Sequence, residues 1–280
     1  MNRLHEVPGP RARRRQRIAE LACALVLAAL AYLVIARLAD HGAFAADAWA
    51  PFAQPGLWRL LGEGIGNNLR AAAVGMVLSL GFGVLLALGL LTRRGALRWP
   101  IRWFTELFRS IPLLLLLYFI SLVLPSYGLK FSDFWFLVIA LTLYNSAVIA
   151  DIVRAGIIAL PRGQTEASYT LGFGPVATMR YVVLPQVARS MAPSLVSQLV
   201  ILFKGTALAF VLGGYLELLH SANIVGQYFT GSLLQALFVA AALFMAVNLA
   251  LSRVARWLES RERRRYHIAA VPVAESGLRR

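Results

Sequence analysis

Few residues in this chain could do chemistry, because most of it is apolar. Lys204 stands inside an apolar run, two positions before Thr206 in "FKGTALAF", and Asn145 and Asp151 occupy another, "LYNSAVIADIVRAG". An unpaired lysine at mid-membrane costs about 2.5–3.5 kcal/mol on insertion scales, so Lys204 must face protein or water. With Thr206 it reads either as the lining of a polar path that meets a substrate carboxylate, or as a structural pair or snorkelling chain; its position leaves both open. Glu217 lies 13 positions further on. That is about 20 Å along a straight helix, which excludes it as a partner of Lys204 within that helix. Asn145 reads first as an interhelical hydrogen-bonding group and second as a path residue. Asp151 and Arg154 read as solvated charge at a span end, with an ion pair closing an inner mouth as the alternative.

Covalent catalysis has no support. There are no paired carboxylates, nucleophile elbow or metal-spaced His or Cys groups, so no metal site is expected. The single Cys23 lies in the first apolar run and can form no disulfide within one chain. His5, His41, His220 and His267 are scattered. No G-x-x-x-x-G-K-[ST] loop is present, and "GEGIGNN" opens an apolar run without the strand that a nucleotide loop requires.

The elements that carry these residues must be membrane helices. A hydrophobic content of 59% and a mean hydropathy of +0.67 exceed what a soluble domain could bury. The net charge of +15 sits at the ends of apolar runs rather than on one face, which marks topology and excludes nucleic acid as a partner. Six stretches, near 18–38, 68–92, 107–124, 134–152, 193–215 and 232–252, approach the ~20 residues that cross a bilayer, so the predicted fold is all-α with about six transmembrane helices. The first is longer than a signal h-region and lacks a small-residue cleavage site before Asp40, so it reads as a retained helix.

Basic segments precede the first span, separate the second from the third and the fourth from the fifth, and follow the last. This places both termini in the cytoplasm and 39–67, 125–133 and 216–231 outside. The chain divides into a basic tail (1–17), a first helix with its external loop (18–60), a transport domain (61–258) and a second basic tail (259–280). The tails read as orientation signals at the lipid headgroups. Arg109 and Pro112 fall near the start of the third span. Gly75, Ser79 and Gly83 form a small-residue stripe suited to helix packing.

About 40 residues between the fourth and fifth spans are too many for a mere connection. Thr165 is a candidate N-cap with Glu166 at the positive end of a short helix, and Gly172 can supply its left-handed C′ position. Pro175 then opens a second helix that runs to Leu184, where Pro185 breaks it. The product is a compact knob suited to entering a groove on another protein.

The spacing Glu166-Ala167-Ser168, three residues, Gly172, nine residues, Val182, one residue, Leu184-Pro185 resembles the "EAA" loop (161–190) of the membrane subunits of ATP-binding-cassette importers. "FTELFRSIPLLLLLYF", "YNSAVIADIVRAGIIALPRGQTEASYTLGFG", "RYVVLPQVARSMAP" and "KGTALAFVLGGYLEL" extend the resemblance to the polar amino acid branch over about 60–255. Ser168, Val182, Ser110, Gly205 and Ala207 depart from that pattern. The resemblance implies a multi-pass permease of the bacterial inner membrane that carries polar amino acids as a homodimer or half of a heterodimer. It implies a solute-binding protein outside and an ATPase dimer inside, which binds ATP and Mg and takes Glu166, Ala167, Ser168, Gly172, Leu184 and Pro185 as the coupling element. This chain itself would need no cofactor. The alternative from another class is an ion-coupled secondary transporter or channel, with Lys204 and Asp151 in the ion path.

Overall fold

The computed structural model describes residues 10–267. The first nine residues and 268–280, which hold the ends of both basic tails, lie outside the described residues. α1 (Pro10–Asp40) carries the first apolar run. No Gly or Pro interrupts 11–40, so the helix continues from the basic segment into the apolar one. Its sides are bare of protein, as suits a helix solvated by lipid. Two turns, α2 (Ala46–Trp49) and a 3₁₀ segment (Ala50–Ala53), return the chain. Trp49 and Gln235 both donate to the Ala43 carbonyl, at 3.0 and 2.9 Å.

The core is built on α6 (Asp133–Ala159), in which Leu137, Val138, Ala140, Leu141, Ala147, Ile149 and Ala150 are almost wholly buried. Its main partner is α3 (Pro55–Leu90). Here the small-residue stripe does the expected work. A Cβ on Gly75 would sit 3.5 Å from Leu141, Ser79 is fully buried, and Gly83 lies against Ile149. α3 begins at Pro55 rather than near 68. The "GEGIGNN" stretch is therefore helical, and Gly64 lets Leu218 and Ser221 approach its backbone.

The third span is not one helix over 107–124. α4 (Gly95–Ser110) and α5 (Leu113–Ser126) meet at 105°. Pro112 disfavours helical geometry at the residue before it, and Ile111 is extended (φ −78°, ψ 127°). Pro112 is the N-cap of α5, consistent with a proline at a helix start. α5 alone rises only about 21 Å, so with the bent pair taken as one span the described residues hold six spans, and five without it.

After α6 come α7 (Arg162–Thr170), a helical turn α8 (Pro175–Ala177), a π segment (Thr178–Val183) and α9 (Leu184–Gly205). Pro185 does not end the helix. The chain runs helically from Pro175 to Gly205, because the π turn, with Leu184 N–H bonded to the Met179 carbonyl five residues back, gives the proline ring room. The fifth span is correspondingly not straight. A 3₁₀ stretch (Thr206–Leu212) follows Gly205 and ends at Gly213, whose φ of +73° favours glycine. The chain then folds back into α10 (Leu218–Tyr228), a helix where the sequence offered turn formers, and α11 (Leu233–His267). With no Gly or Pro after 232 until beyond 267, α11 continues through the basic segment that follows the apolar run.

Substituting Gly83 places a methyl 2.6 Å from Ile149 Cγ2 and 3.0 Å from the Ser146 carbonyl, whereas Gly81 has nothing within 4 Å. Gly83→Ala is expected to destabilise by about 1–3 kcal/mol through overpacking, while Gly81→Ala gains roughly 0.5–1 kcal/mol of helix propensity. Thermal unfolding in detergent checks this; equal midpoints for the two variants would refute the packing assignment.

Candidate functional site

Two regions hold the residues singled out by the sequence. In the first, α7 is followed by Gly172 at φ +83°. Phe173 N–H bonds to the Ser168 carbonyl at 3.1 Å and Gly172 N–H to the Tyr169 carbonyl at 3.0 Å, a complete Schellman motif. The left-handed C′ position read from sequence is thus present. The start of the helix is different: it begins at Arg162 after Pro161, with no side-chain cap. Thr165 and Glu166 lie inside it, beyond its first turn, because Pro161 fixes the helix entry upstream. Glu166 is exposed, and its carboxylate has no partner among the described residues.

Ser168 is the buried residue of α7. Its hydroxyl meets that of Thr178 at 2.6 Å, and Gln186 donates to Gln164 at 3.2 Å, bracing α7 against the helix that leads into α9. Ala167 is exposed, Leu184 half-buried and Pro185 exposed at the first turn of α9. Around this frame Tyr169, Leu171 and Val176 are exposed, Leu171 at 78% and Val176 at 81%. Sequence reasoning missed this apolar rim. Its signal was large apolar side chains flanking Gly172 in an otherwise solvated segment.

The second region is a cavity of about 670 Å³ between α9, the start of α10 and α11. Lys204 lines it, and so does Glu217. They make no ion pair with each other, in agreement with the sequence reading, but the chain leaves the helix at Gly205 and turns back, so the two border one cavity. Glu217 is fully buried and caps α10, accepting from Leu219 N–H at 2.7 Å and His220 N–H at 2.5 Å. Lys204 is exposed to the cavity and makes no ion pair among the described residues. Phe244, Met245 and Asn248 of α11 form the opposite wall.

The other candidate path residues are not brought to this cavity. Thr206 is fully buried, donating to the Phe203 carbonyl at 2.7 Å and accepting from Asn68 at 2.8 Å. Asn145 is buried between α6 and α9, donating to the Leu141 carbonyl and accepting from Gln198, both at 2.7 Å. Asp151 pairs with Arg109 of α4 rather than with Arg154, across two helices, and the pair stays open to solvent as the sequence reading had it.

The chain matches, over residues 79–264, the family model described as binding-protein-dependent transport system inner membrane component. It belongs to that family. As a member, it is a multi-pass permease subunit of an ATP-binding-cassette importer in the bacterial inner membrane, a transporter component and not an enzyme. The family therefore decides against the ion-coupled alternative. Among similar permeases, the glutamate transport system permease of Corynebacterium glutamicum is 35% identical over 84% of this chain and 88% of its own length. A probable glutamine ABC transporter permease of Bacillus subtilis is 36% identical over 72% of this chain and 93% of its own. Among solved structures, an amino acid ABC transporter crystallised with histidines superposes with a TM-score of 0.64 at 27% identity, over 72% of this chain and 94% of that one. The permease of a methionine ABC transporter shares the fold, with a TM-score of 0.57 at 22% identity over 73% and 99%.

Within this permease the Asn145–Gln198 bond ties α6 to α9 in a low-dielectric setting. Asn145→Leu and Gln198→Leu each orphan one partner, and the double variant orphans neither. A double-mutant cycle read by unfolding in detergent is expected to give a coupling of about 0.6–1.7 kcal/mol, the range for hydrogen bonds between membrane helices; additive single effects would deny the bond a role.

Proposed function

We propose that this permease carries polar amino acids across the cytoplasmic membrane, driven by ATP hydrolysed, with Mg, in a separate ATPase dimer. A second permease subunit completes the pathway, and an extracytoplasmic solute-binding protein delivers the cargo. Both termini and α7 lie on the cytoplasmic side, supported by the basic residues at the ends of the spans. The observation that carries the cargo class is the likeness over 84% of the chain to a permease named for glutamate, beside others named for glutamine and arginine. Those three side chains differ in charge, and what they share is an α-carboxylate and an α-ammonium group. Lys204 on the cavity offers a cation that matches the shared α-carboxylate.

Coupling runs through α7. An exposed, unpaired Glu166 can bond a basic residue in a groove of the ATPase, while Tyr169, Leu171 and Val176 supply apolar contact. Ala167 leaves that face slim. Gly172 makes the turn that a side chain would strain, Ser168 fixes α7 to the helix behind it, and Leu184-Pro185 starts α9, which carries Lys204 in its last turn. Thr206, Asn145 and Asp151 act on the path by holding its walls.

Reconstitution with an ATPase and a binding protein tests the whole reading: loaded binding protein should stimulate ATP hydrolysis, and Glu166→Lys or Gly172→Trp should abolish uptake with membrane levels unchanged. Full uptake by either variant would sink the coupling assignment. For the cargo contact, Lys204→Met should raise the apparent KM for uptake by about tenfold or more, since hydrogen bonds to charged groups contribute about 1.5–3 kcal/mol, and Lys204→Arg should recover part of it. An unchanged KM in Lys204→Met removes the lysine from the path.

A further inference from the structure

A second cavity, of about 280 Å³, lies between α4 and α6, away from Lys204. Four arginines face it: Arg98, Arg102 and Arg109 from α4, and Arg154 from α6. On α4 their spacing of i, i+4 and i+11 makes a single stripe. Two carboxylates share the cavity, and each is taken by an arginine. Glu106 accepts from Arg102 at 2.8 Å, and Asp151 pairs with Arg109. Arg98 and Arg154 have no carboxylate partner among the described residues. The cavity therefore holds two positive charges more than its own anions balance.

The opposite side of α4 shows where this charge sits. Leu97, Trp99, Trp103 and Leu107 are exposed at 51–66%, and the two indoles pack edge to face at 5.9 Å. A helix with an arginine stripe on one side and tryptophan and leucine on the other has the build of one lying in the membrane interface. Its 105° angle to α5 allows that, because α4 runs near the membrane plane when α5 runs along the normal. Indoles settle at headgroup depth, which puts the unbalanced guanidiniums at the level of lipid phosphates. Basic pockets between membrane helices are known to take phospholipid headgroups.

We propose that the α4–α6 cavity binds the phosphodiester headgroup of an anionic phospholipid, held by Arg98 and Arg154 with Arg102 and Arg109, while Trp99 and Trp103 seat α4 among the surrounding acyl chains. The occupant is a lipid rather than a soluble anion because the exposed indoles on the other side of the same helix set the charge at headgroup depth. The cavity's lining residues include neither Lys204 nor any residue of α7.

Native mass spectrometry of the full chain in neutral detergent, titrated with phosphatidylglycerol and with phosphatidylcholine, tests this. Each unpaired arginine contributes roughly a factor of five near a headgroup, so wild type should favour phosphatidylglycerol by about 25-fold. Arg98→Gln should lose about fivefold of that preference, and Arg98→Gln with Arg154→Gln should lose all of it at an unchanged unfolding midpoint. The single variant alone serves as the readout if the double variant unfolds. Equal binding of the two lipids by wild type, or an undiminished preference in Arg98→Gln, overturns the site. Displacement of the lipid by inorganic phosphate at matching concentration overturns the lipid as occupant.

Discussion

Inside a bilayer no peptide group can be left without a hydrogen-bond partner, and the break after Gly205 puts a run of non-α backbone where that rule applies. Two asparagines of α3 meet the need. Asn68 donates to Thr206 at 2.8 Å and accepts from Leu218 N–H at 3.0 Å. Asn67 donates to the Leu216 carbonyl at 2.7 Å, and its own carbonyl accepts from Tyr215 at 2.7 Å. Glu217 then satisfies two free amides at the start of α10. These bonds hold the fold-back closed, and only because it is closed do Lys204 and Glu217 border one cavity. The residues that hold the break and those that face the cavity are thus different sets with different tolerances. Losing Asn68 removes a polar group from a buried network, whereas losing Lys204 changes the charge of a wall.

The remainder of the bundle is arranged to keep α6 fixed. Small residues let α3 come close on one side, α4 reaches it through the Arg109–Asp151 pair, and Gln198 joins α9 to it. Gly156 meets Val187 and Met191 of α9, where a Cβ would stand 2.9 and 2.6 Å away. α6 and α9 are therefore tied near the turn that carries α7 and again in mid-span, and they must tilt together.

Much of this was legible in the sequence because it depends on local signals. Long apolar runs without Gly or Pro became α1 and α11, the Gly75–Ser79–Gly83 stripe found a partner, and Gly172 took the left-handed position. The misreadings came where two local signals competed or where the deciding contact was distant. Pro185 reads as a breaker by itself, but a π turn before it removes the clash, and no composition rule announces a π turn. Pro112 was seen, yet its consequence, a 105° break, depends on the residue before it adopting extended geometry. Glu217 is indeed no ion partner of Lys204, but its place beside the same cavity was missed. The premise was a straight helix, and what bends it is Asn67 and Asn68, some 140 residues earlier in the chain. The rim at Tyr169, Leu171 and Val176 escaped because apolar side chains in so apolar a chain draw no notice until their exposure is known.

The absence of a break at Pro185 changes how α7 relates to the cavity. Two separate short helices would have put a flexible joint between the knob and the fifth span. A chain helical from Pro175 to Gly205 instead spans roughly 45 Å, interrupted only by the π segment and by Pro185 and Pro193, which have no N–H to donate, and it starts at the turn that Ser168 and Thr178 lock to α7. Sharp bends in long helices fall at prolines and π turns, so bending between the knob and Lys204 is confined to the π segment, Pro185 and Pro193. The helix ends at Gly205, one residue past Lys204. Beyond it the backbone is 3₁₀ and turn, anchored to α3 by the two asparagines and to the end of α9 through the Thr206 hydroxyl. Lys204 and Glu217 thus stand on opposite sides of the break, one on the helix that leads from α7 and the other on the segment that α3 holds.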